Sequence, residues 1–325
     1  MPSSAKRAPA DYRLRKAAMK IGLVGLGKMG ANMAQRIRGA GHEVVGYDRN
    51  PEASEVASIS DLVDALGEAP RVVWTMVPSG DPTEDTIATF ADLLGEGDLV
   101  IDGGNSNYHD SIRHGADLAA KGIGFVDAGV SGGVWGLEEG YCLMVGGSEA
   151  DVARVQPVFD ALKPPEGGFA HVGPVGAGHF TKMVHNGIEY GLMHAYAEGY
   201  ELLAAADIDV DADAALQAWR HGSVVRSWLL DLLSGAVQHD PGLSSVAGRA
   251  HDSGEGRWTV QEAVRLAVPL PVISAALFAR FSSRQLDSPA MKVVAALRKE
   301  FGGHITESAE QRPSEAGGGA QVREE

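Results

Sequence analysis

The 325-residue sequence contains a single cysteine, Cys142. An internal disulfide and a cysteine-based metal cluster are therefore excluded, and a reducing compartment, the cytoplasm, is the expected location. No apolar run reaches the eighteen residues that a membrane-spanning helix requires, so we expect no membrane association. Basic residues are also scarce, because 28 lysines and arginines face 43 acidic residues and give a formal net charge of −15. That charge argues against a nucleic-acid partner but remains compatible with a small anionic substrate bound in a local basic pocket.

The two ends of the chain lack the periodic apolar pattern of folded segments. Residues 1–18 hold five basic residues and one acidic residue but no apolar core, so they are not a secretory signal. We expect them to be a disordered extension or a stretch upstream of a working start at Met19; an organelle transit segment is the alternative. Residues 305–325 are rich in glycine, glutamate and serine, and we expect a disordered tail there.

Short apolar runs alternate with helical segments between residues 19 and 175. Strands are predicted at 20–25, 43–47, 71–76, 98–101, 124–126 and 141–145, and the first helix at 28–39. Such alternation is typical of an α/β domain with a mostly parallel, doubly wound sheet of the Rossmann type. The pattern changes after Gly173, and helices are predicted at 177–206, 210–220, 227–238, 258–267, 272–281 and 290–301. Residues 176–304 are therefore expected to form an all-α domain.

A glycine-rich segment follows the first predicted strand and opens the first predicted helix. It fits the pattern G-x-G-x-x-G, which in this context is typical of a dinucleotide-binding loop. The first glycine allows a sharp turn, the second allows close approach of a pyrophosphate, and the third allows helix and strand to pack tightly. The amino end of the helix then offers free N–H groups to the phosphates. The expected cofactor contacts are Gly25, Leu26, Gly27, Lys28, Met29 and Gly30.

The end of the second predicted strand carries Asp48, followed by Arg49. A carboxylate at this position can accept hydrogen bonds from both ribose hydroxyls of NAD and repels the 2′-phosphate of NADP. The neighbouring arginine complicates this interpretation, because its guanidinium group can hold that phosphate. We favour NAD as the cofactor and keep NADP as the alternative.

The long predicted helix carries a polar stripe with spacings of 3, 4, 7 and 8 residues, which places its members on one face. The stripe consists of Lys182, His185, Asn186, Glu189 and Tyr190. Histidine and asparagine are poor choices for a solvent-facing position inside a helix. A desolvated lysine can lose its proton near neutral pH, and a carboxyl buried beside it can stay protonated. Lys182 and Glu189 are therefore expected to perform acid–base chemistry without a metal.

Two glycine-rich segments follow predicted strands, at the edge where open α/β sheets bind ligands. Residues 102–106 read Asp-Gly-Gly-Asn-Ser, and residues 127–133 read Asp-Ala-Gly-Val-Ser-Gly-Gly. We expect the second to be a mobile loop whose N–H groups suit a carboxylate. Both segments are also compatible with simple turns.

These motifs resemble the decarboxylating 6-phosphogluconate dehydrogenases, within the wider β-hydroxyacid dehydrogenase group. The wider group accounts for residues 25–30, the segment 130–133 and Lys182. The narrower resemblance is carried by residues 102–106 and by the run Lys-Met-Val-His-Asn-Gly-Ile-Glu-Tyr at 182–190. It covers about residues 19–304, and it implies a dinucleotide-binding domain over 19–175 and a substrate and oligomerisation domain over 176–304.

The resemblance implies specific roles in the oxidation of 6-phosphogluconate to ribulose 5-phosphate and CO2. Lys182 resembles the general base that takes the 3-hydroxyl proton, and Glu189 resembles the acid that protonates C1 of the enediol. Contacts to the substrate hydroxyls and carboxylate are implied for Asn105, Ser131, Gly132, Gly133, His185 and Asn186. Phosphate contacts are implied for Tyr190, Thr259 and Arg280, with Arg257 in place of the lysine of longer members. Cofactor contacts are further implied for Met76, Val77 and Asn105.

The carboxyl end of the predicted helical domain resembles a segment that reaches into the neighbouring subunit. Arg298 and His304 match a pair that completes the partner's site in this family, which implies a homo-oligomer with shared sites. The chain holds one copy of a helical unit that longer members duplicate. Its Asp48–Arg49 pair also differs from the Asn-Arg pair common in the NADP-dependent long form.

Two other functions are compatible with parts of the sequence. A dehydrogenase for 3-hydroxyisobutyrate, or a tartronate semialdehyde reductase, shares the lysine but does not decarboxylate. Glu189, the His185–Asn186 pair and Arg280 argue against it, because they supply a proton donor and a phosphate contact. A nicotinamide-sensing binding protein is the third possibility, and the presence of both Lys182 and Glu189 argues against it.

Overall fold

The computed structural model describes residues 18–302 of the chain. Seven strands form one sheet in the order β2-β1-β3-β4-β5-β6-β7. Neighbouring strands are parallel except for β5 and β6, which pair antiparallel. The strands are β1 Lys20–Val24, β2 Glu43–Tyr47, β3 Val72–Thr75, β4 Leu99–Asp102, β5 Gly124–Ser131, β6 Cys142–Gly147 and β7 Phe169–Gly173. The predicted Rossmann-type sheet is confirmed.

Helices cover both faces of the sheet and bury two separate apolar cores. They are α1 Lys28–Gly39, α2 Ile59–Leu66, α3 Asp81–Leu93, α4 Tyr108–Ala119, α5 Gly136–Glu139 and α6 Glu149–Leu162, with a short 3₁₀ helix at Gly133–Trp135. All four residues of β3 and of β4 are buried, as expected of parallel strands that are covered on both faces.

The sequence interpretation of the sheet was wrong at two places. Strand β7 was not predicted, and β5 was predicted to end at Val126 although it continues to Ser131. The segment from Asp127 onward is therefore a strand, not a mobile loop, because its backbone pairs antiparallel with β6. Of the predicted loop 127–133, only Gly132 and Gly133 follow the end of β5.

The second part of the described chain is helical, as predicted. It contains α7 Ala177–Ala204, α8 Ala212–Trp219, α9 Trp228–His239, α10 Glu255–Leu266, α11 Pro271–Ser282 and α12 Pro289–Gly302, with a 3₁₀ turn at Pro241–Leu243. Helix α10 begins three residues before the predicted start at Trp258. None of the helices between residues 18 and 302 combines the length and apolar character needed to cross a bilayer. His304 and both predicted disordered ends, apart from Ala18, lie outside the described residues.

Helix α7 lies directly on β5 because glycines remove the side chains that would separate them. A Cβ atom on Gly129 would lie 2.4 Å from the Cβ of Lys182. A Cβ atom on Gly178 would lie 2.4 Å from the carbonyl oxygen of Asp127. Neither position can hold another residue without separating helix and strand, since real Cβ contacts are not that short. The close contact places Lys182 over the middle of β5.

The buried carboxylate of Asp127 fixes the amino end of α7. The residue preceding the helix, Gly176, has no side chain to cap it. Asp127 takes that role from the sheet, because its two carboxylate oxygens accept hydrogen bonds from the backbone N–H groups of Gly176 at 2.7 Å and His179 at 2.8 Å. The positive end of the helix dipole further stabilises the negative charge. One side chain thus joins the sheet to the helical part of the chain.

We predict that Asp127→Ala lowers the free energy of unfolding by about 3 kcal/mol, because two buried N–H groups lose their acceptor. Asp127→Asn is expected to lose less, since its amide oxygen still accepts one hydrogen bond. Urea unfolding at a fixed protein concentration measures both changes. An Asp127→Ala protein as stable as the parent would refute the capping role.

Candidate active site

A cleft of about 810 Å³ opens at the carboxyl ends of β1, β3 and β4. It includes the point between β1 and β3 where the chain reverses direction across the sheet, the usual ligand site of such folds. Val130 from β5 and Ser253 from the segment before α10 also line it, so the cleft extends to the helical part of the chain. Of the predicted cofactor contacts, it is lined by Gly25, Gly27, Lys28, Met29, Gly30, Asp48, Arg49, Met76, Val77 and Asn105.

The three glycines of the loop occupy three different environments. Gly25 has a φ angle of +95°, and a Cβ there would lie 2.5 Å from the carbonyl oxygen of Met76. A Cβ on Gly30 would lie 1.9 Å from the carbonyl oxygen of Gly25, whereas one on Gly27 would meet nothing within 4 Å. The open space at Gly27 adjoins the amino end of α1, which no side chain caps. This cradle fits a dinucleotide pyrophosphate.

The carboxylate of Asp48 supports the same loop. One oxygen accepts a hydrogen bond from the backbone N–H of Leu26 at 2.6 Å, and the other accepts one from Asn50 at 2.8 Å. The side chain of Leu26 packs against Gly46 and does not line the cleft, so only the backbone of Leu26 belongs to the site. Asp48 itself remains half-buried beside Arg49 at the cleft wall.

Lys182 is 7% exposed and lies over Gly129, next to the cleft-lining Val130. Burial lowers the pKa of Lys182, because the charged ammonium loses its hydration, and the negative charges of Glu255 and Glu189 partly oppose this effect. A buried lysine of this kind holds its proton weakly and suits the role of a general base.

The other members of the predicted stripe divide into buried and half-exposed groups. Asn186 and Tyr190 are buried, and the amide oxygen of Asn186 lies 3.0 Å from Nδ1 of His185. Glu189 has 38% of its side chain exposed and lies 4.0 Å from the same nitrogen. The expectation of a buried carboxyl at Glu189 was therefore wrong for this chain, because Glu189 lies beside the exposed Ile188 and Leu192, whereas Tyr190 of the same turn packs against α10 and α11.

The buried carboxyl of the site belongs instead to Glu255, the first residue of α10, which is 2% exposed. Burial raises the pKa of Glu255 to about 7, and the positive charge of Lys182 opposes this rise. Sequence reasoning missed this residue because α10 was predicted to begin at Trp258. The available signal was an acidic residue held between Gly254 and Gly256.

Three of the predicted phosphate contacts lie together. The guanidinium carbon of Arg280 lies 3.5 Å from the centre of the Tyr190 ring, and Arg280 donates a hydrogen bond to the carbonyl oxygen of His251. Arg257 is exposed and pairs with Asp252 at 2.5 Å. The Arg257 pairing holds the pKa of Asp252 down at about 2.

The hydroxyl of Thr259 makes no hydrogen bond with the side chains of Tyr190, Arg257 or Arg280 and is engaged elsewhere. It is buried, and its Oγ1 lies 2.9 Å from the carbonyl oxygen of Met183 and 2.8 Å from that of Glu255. The hydroxyl thus joins α10 to α7, which was not expected from the sequence. A Cβ on Gly187 would lie 2.7 Å from the methyl group of Thr259, so the two helices are in direct contact there.

The remaining predicted contacts lie at the edges of the site. Asn105 is exposed at the cleft wall, and Ser131 ends β5 half-buried. Gly132 and Gly133 follow with φ angles of +135° and +54°, so both adopt backbone conformations that favour glycine. Arg298 is exposed on α12 and does not line the cleft of its own chain. Between residues 18 and 302, no cluster of three or more histidine, cysteine or acidic side chains is arranged to hold a metal ion.

Comparison with known proteins assigns both parts of the chain. Residues 20–164 match the family model described as the NAD binding domain of 6-phosphogluconate dehydrogenase, and residues 178–315 match the C-terminal domain of the same enzyme. The chain is thus a nicotinamide-dependent oxidoreductase. It belongs to the 6-phosphogluconate dehydrogenase family.

Individual relatives agree with this assignment. A Haloferax volcanii protein named 6-phosphogluconate dehydrogenase, NAD(+)-dependent, decarboxylating, is 41% identical over 296 residues, which cover 88% of this chain and 98% of that protein. The structure of Plasmodium falciparum 6-phosphogluconate dehydrogenase superposes with a TM-score of 0.75 at 26% identity. The match covers 90% of this chain and 67% of the Plasmodium chain. A Mycobacterium tuberculosis 3-hydroxyisobutyrate dehydrogenase has a TM-score of 0.67 at 25% identity, covering 87% and 100%.

Proposed function

We propose that the protein oxidises and decarboxylates 6-phosphogluconate to ribulose 5-phosphate and CO2. The observation that carries this proposal is the buried Lys182, held over β5 beside the dinucleotide cleft and followed by the polar stripe of α7. The family relationship supports it, since a full-length relative bears the decarboxylating, NAD-dependent name. The 3-hydroxyisobutyrate dehydrogenases share the fold, so the substrate assignment depends on the residues around the lysine.

In the proposed reaction, neutral Lys182 accepts the proton of the substrate 3-hydroxyl at its Nζ atom. A nicotinamide cofactor held in the cleft would provide the acceptor for the hydride of C3. The ammonium group of Lys182 then polarises the new 3-keto group, so the carbonyl takes up the electrons that CO2 leaves behind. Glu189 donates a proton to C1 of the resulting enediol, and its partial exposure allows it to regain that proton from solvent.

The residues around Lys182 suit the remaining parts of the substrate. The backbone N–H groups at Ser131–Gly133, with Asn105, His185 and Asn186, are proposed to hold the carboxylate and hydroxyls. Arg257 and Arg280 are proposed to hold the phosphate, since guanidinium groups bind it bidentately. This local positive charge accounts for anion binding by a chain whose net charge is −15.

Activity with 6-phosphogluconate tests the proposal directly. Lys182→Ala is predicted to lower kcat about a thousandfold or more, and Glu189→Gln about a hundredfold, because each removes one proton transfer. The measurement follows NADH absorbance and CO2 release together. Glu198→Gln, an exposed glutamate on the same helix, is the matched control and is expected to keep full activity. Cofactor reduction without CO2 would favour a non-decarboxylating hydroxyacid dehydrogenase instead.

We propose NAD as the preferred cofactor, because the Asp48 carboxylate lines the cleft where a 2′-phosphate would lie. The Asp48→Asn variant removes the negative charge but keeps the loop contact, since its amide oxygen can still accept the hydrogen bond from the backbone N–H of Leu26. The ratio of kcat/KM for NADP to that for NAD is predicted to rise about tenfold or more, as charge repulsion worth about 1.4 kcal/mol is lost. An unchanged ratio would remove Asp48 from cofactor selection.

We also propose that the protein is a homo-oligomer whose sites are shared between subunits. Helix α12 is exposed along almost its whole length, and the apolar side chains of Met291, Val293, Val294 and Leu297 project from it. Further apolar side chains are exposed on α11, including Val272 and Phe278. Apolar surface of this extent is typical of a subunit interface, and Arg298 lies on the same helix.

Complementation between two inactive variants tests the shared site. Lys182→Ala and Arg298→Ala are each predicted to have little activity alone. Mixed dimers contain one intact site if Arg298 serves the partner, so co-expression is expected to restore about a quarter of the sites. Light scattering is expected to give a mass above the 34.0 kDa of one chain. No recovery in verified mixed oligomers would refute sharing.

A further inference from the structure

Glu255 is a buried acid without an evident structural partner. It is 2% exposed, and neither of its carboxylate oxygens has a hydrogen-bond partner among the described residues. The Asn186 amide lies near enough to favour the charged form only weakly. An unpaired carboxylate in such a place is costly for the folded chain. A role in the chemistry of the neighbouring site accounts for that cost.

The contact between α7 and α10 fixes the position of Glu255. A Cβ on Gly256 would lie 2.6 Å from the Tyr190 ring, so the first turn of α10 is pressed against α7. One turn later, the Thr259 hydroxyl bridges the carbonyl oxygens of Glu255 and Met183. Met183 follows Lys182 directly. The backbone of Glu255 is therefore held beside the turn of α7 that carries the lysine.

We propose that Glu255 is a positioning residue for the general base: its carboxylate is the counter-charge of the Lys182 ammonium that forms during oxidation. This inference rests on the proposed function. The substrate 3-hydroxyl gives its proton to Lys182, a bound nicotinamide would accept the hydride of C3, and Glu255 forms and breaks no bond. A fixed negative charge beside a desolvated ammonium stabilises it as it forms, since opposite charges interact strongly where water is excluded.

The electrostatics of the site agree with this arrangement. Burial lowers the pKa of Lys182, and among the charges that raise it again Glu255 contributes most, ahead of Glu189 on α7 and Cys142 on β6. Glu189 is half-exposed with His185 beside it, and Cys142 is exposed, so water screens both more strongly. The pKa of Glu255, about 7, leaves its carboxylate charged above neutral pH.

The variant Glu255→Gln keeps the size of the side chain and removes its charge. Without the counter-charge the pKa of Lys182 falls, so the acid limb of kcat/KM for 6-phosphogluconate is expected to move to lower pH by about one unit or more. A less basic lysine also takes the hydroxyl proton more slowly, so kcat is expected to fall about tenfold. KM is expected to change less than kcat. Glu255→Asp, which keeps the charge, is expected to recover part of both effects.

Glu262 provides a matched control on the same helix. It is similarly buried, but it pairs with Arg265 and lies two turns away from Glu255. Glu262→Gln is expected to leave the acid limb of the pH profile in place even where it lowers stability. A shift of the same size in both variants would show a general effect of losing a buried acid and would overturn the proposal.

A second measurement needs neither cofactor nor turnover. The folded-state pKa of Glu255 is raised above its ordinary value, so its ionisation opposes folding as pH rises from about 4.5 to 7. Glu255→Gln is therefore expected to have a Tm a few degrees above the parent at pH 8 and a similar Tm at pH 5. Equal Tm differences at both pH values would show that the pKa of Glu255 is the same in the folded and the unfolded chain, so that its carboxylate is not a desolvated charge beside Lys182, which would overturn the proposal.

The outcomes separate this inference from the proposed function. A parent protein that does not release CO2 from 6-phosphogluconate refutes the proposed function, whatever the Tm measurements give. An active parent whose Glu255→Gln variant keeps the same acid limb refutes only the counter-charge role. A uniform rise in KM at every pH would assign Glu255 to substrate binding and also refute it. Should Glu255→Gln fail to fold, the acid limb of Glu255→Asp must shift in the same direction by a smaller amount.

Discussion

The carboxylate of Asp127 is the contact on which the rest of the molecule depends. It projects from the sheet and caps the amino end of α7, so one buried side chain sets where the helical part of the chain begins. Gly129 and Gly178 then allow that helix to lie directly on β5. Helix α7 is thereby anchored to the same strand whose Val130 lines the cleft, and the position of Lys182 relative to that cleft follows from the fold.

Local patterns account for the parts of the fold that the sequence predicted well. The glycine loop, α1 and the long α7 depend on residues close together in the chain, and their observed bounds agree within a few residues. Pairing between distant segments accounts for the errors. Strand β7 is a short edge strand of exposed or half-buried residues that is defined by its pairing with β6, while the length of β5 is set by antiparallel pairing with β6.

The same distinction applies to the site. The stripe on α7 was predictable because helical spacing alone places Lys182 and Asn186 on one face. The burial of Glu255 and the engagement of the Thr259 hydroxyl were not, since both depend on how closely α10 approaches α7. The exposure of Glu189 depends on the same packing, because α10 and α11 cover Tyr190 but leave Ile188 and Leu192, beside Glu189, exposed.

The two glycines between α7 and β5 have a consequence for how this site can change over evolution. The distance of Lys182 from the sheet depends on the lack of a side chain at Gly129 and Gly178. Every other residue type carries a Cβ atom, so neither glycine has a conservative replacement. Mutation at Gly129 or Gly178 therefore offers no gradual route to a new activity. Variation in substrate range is left to single side chains such as Arg257 and Arg280, which can change without moving Lys182. The contact between α7 and β5 must therefore stay constant, whereas the arginines of α10 and α11 are free to vary.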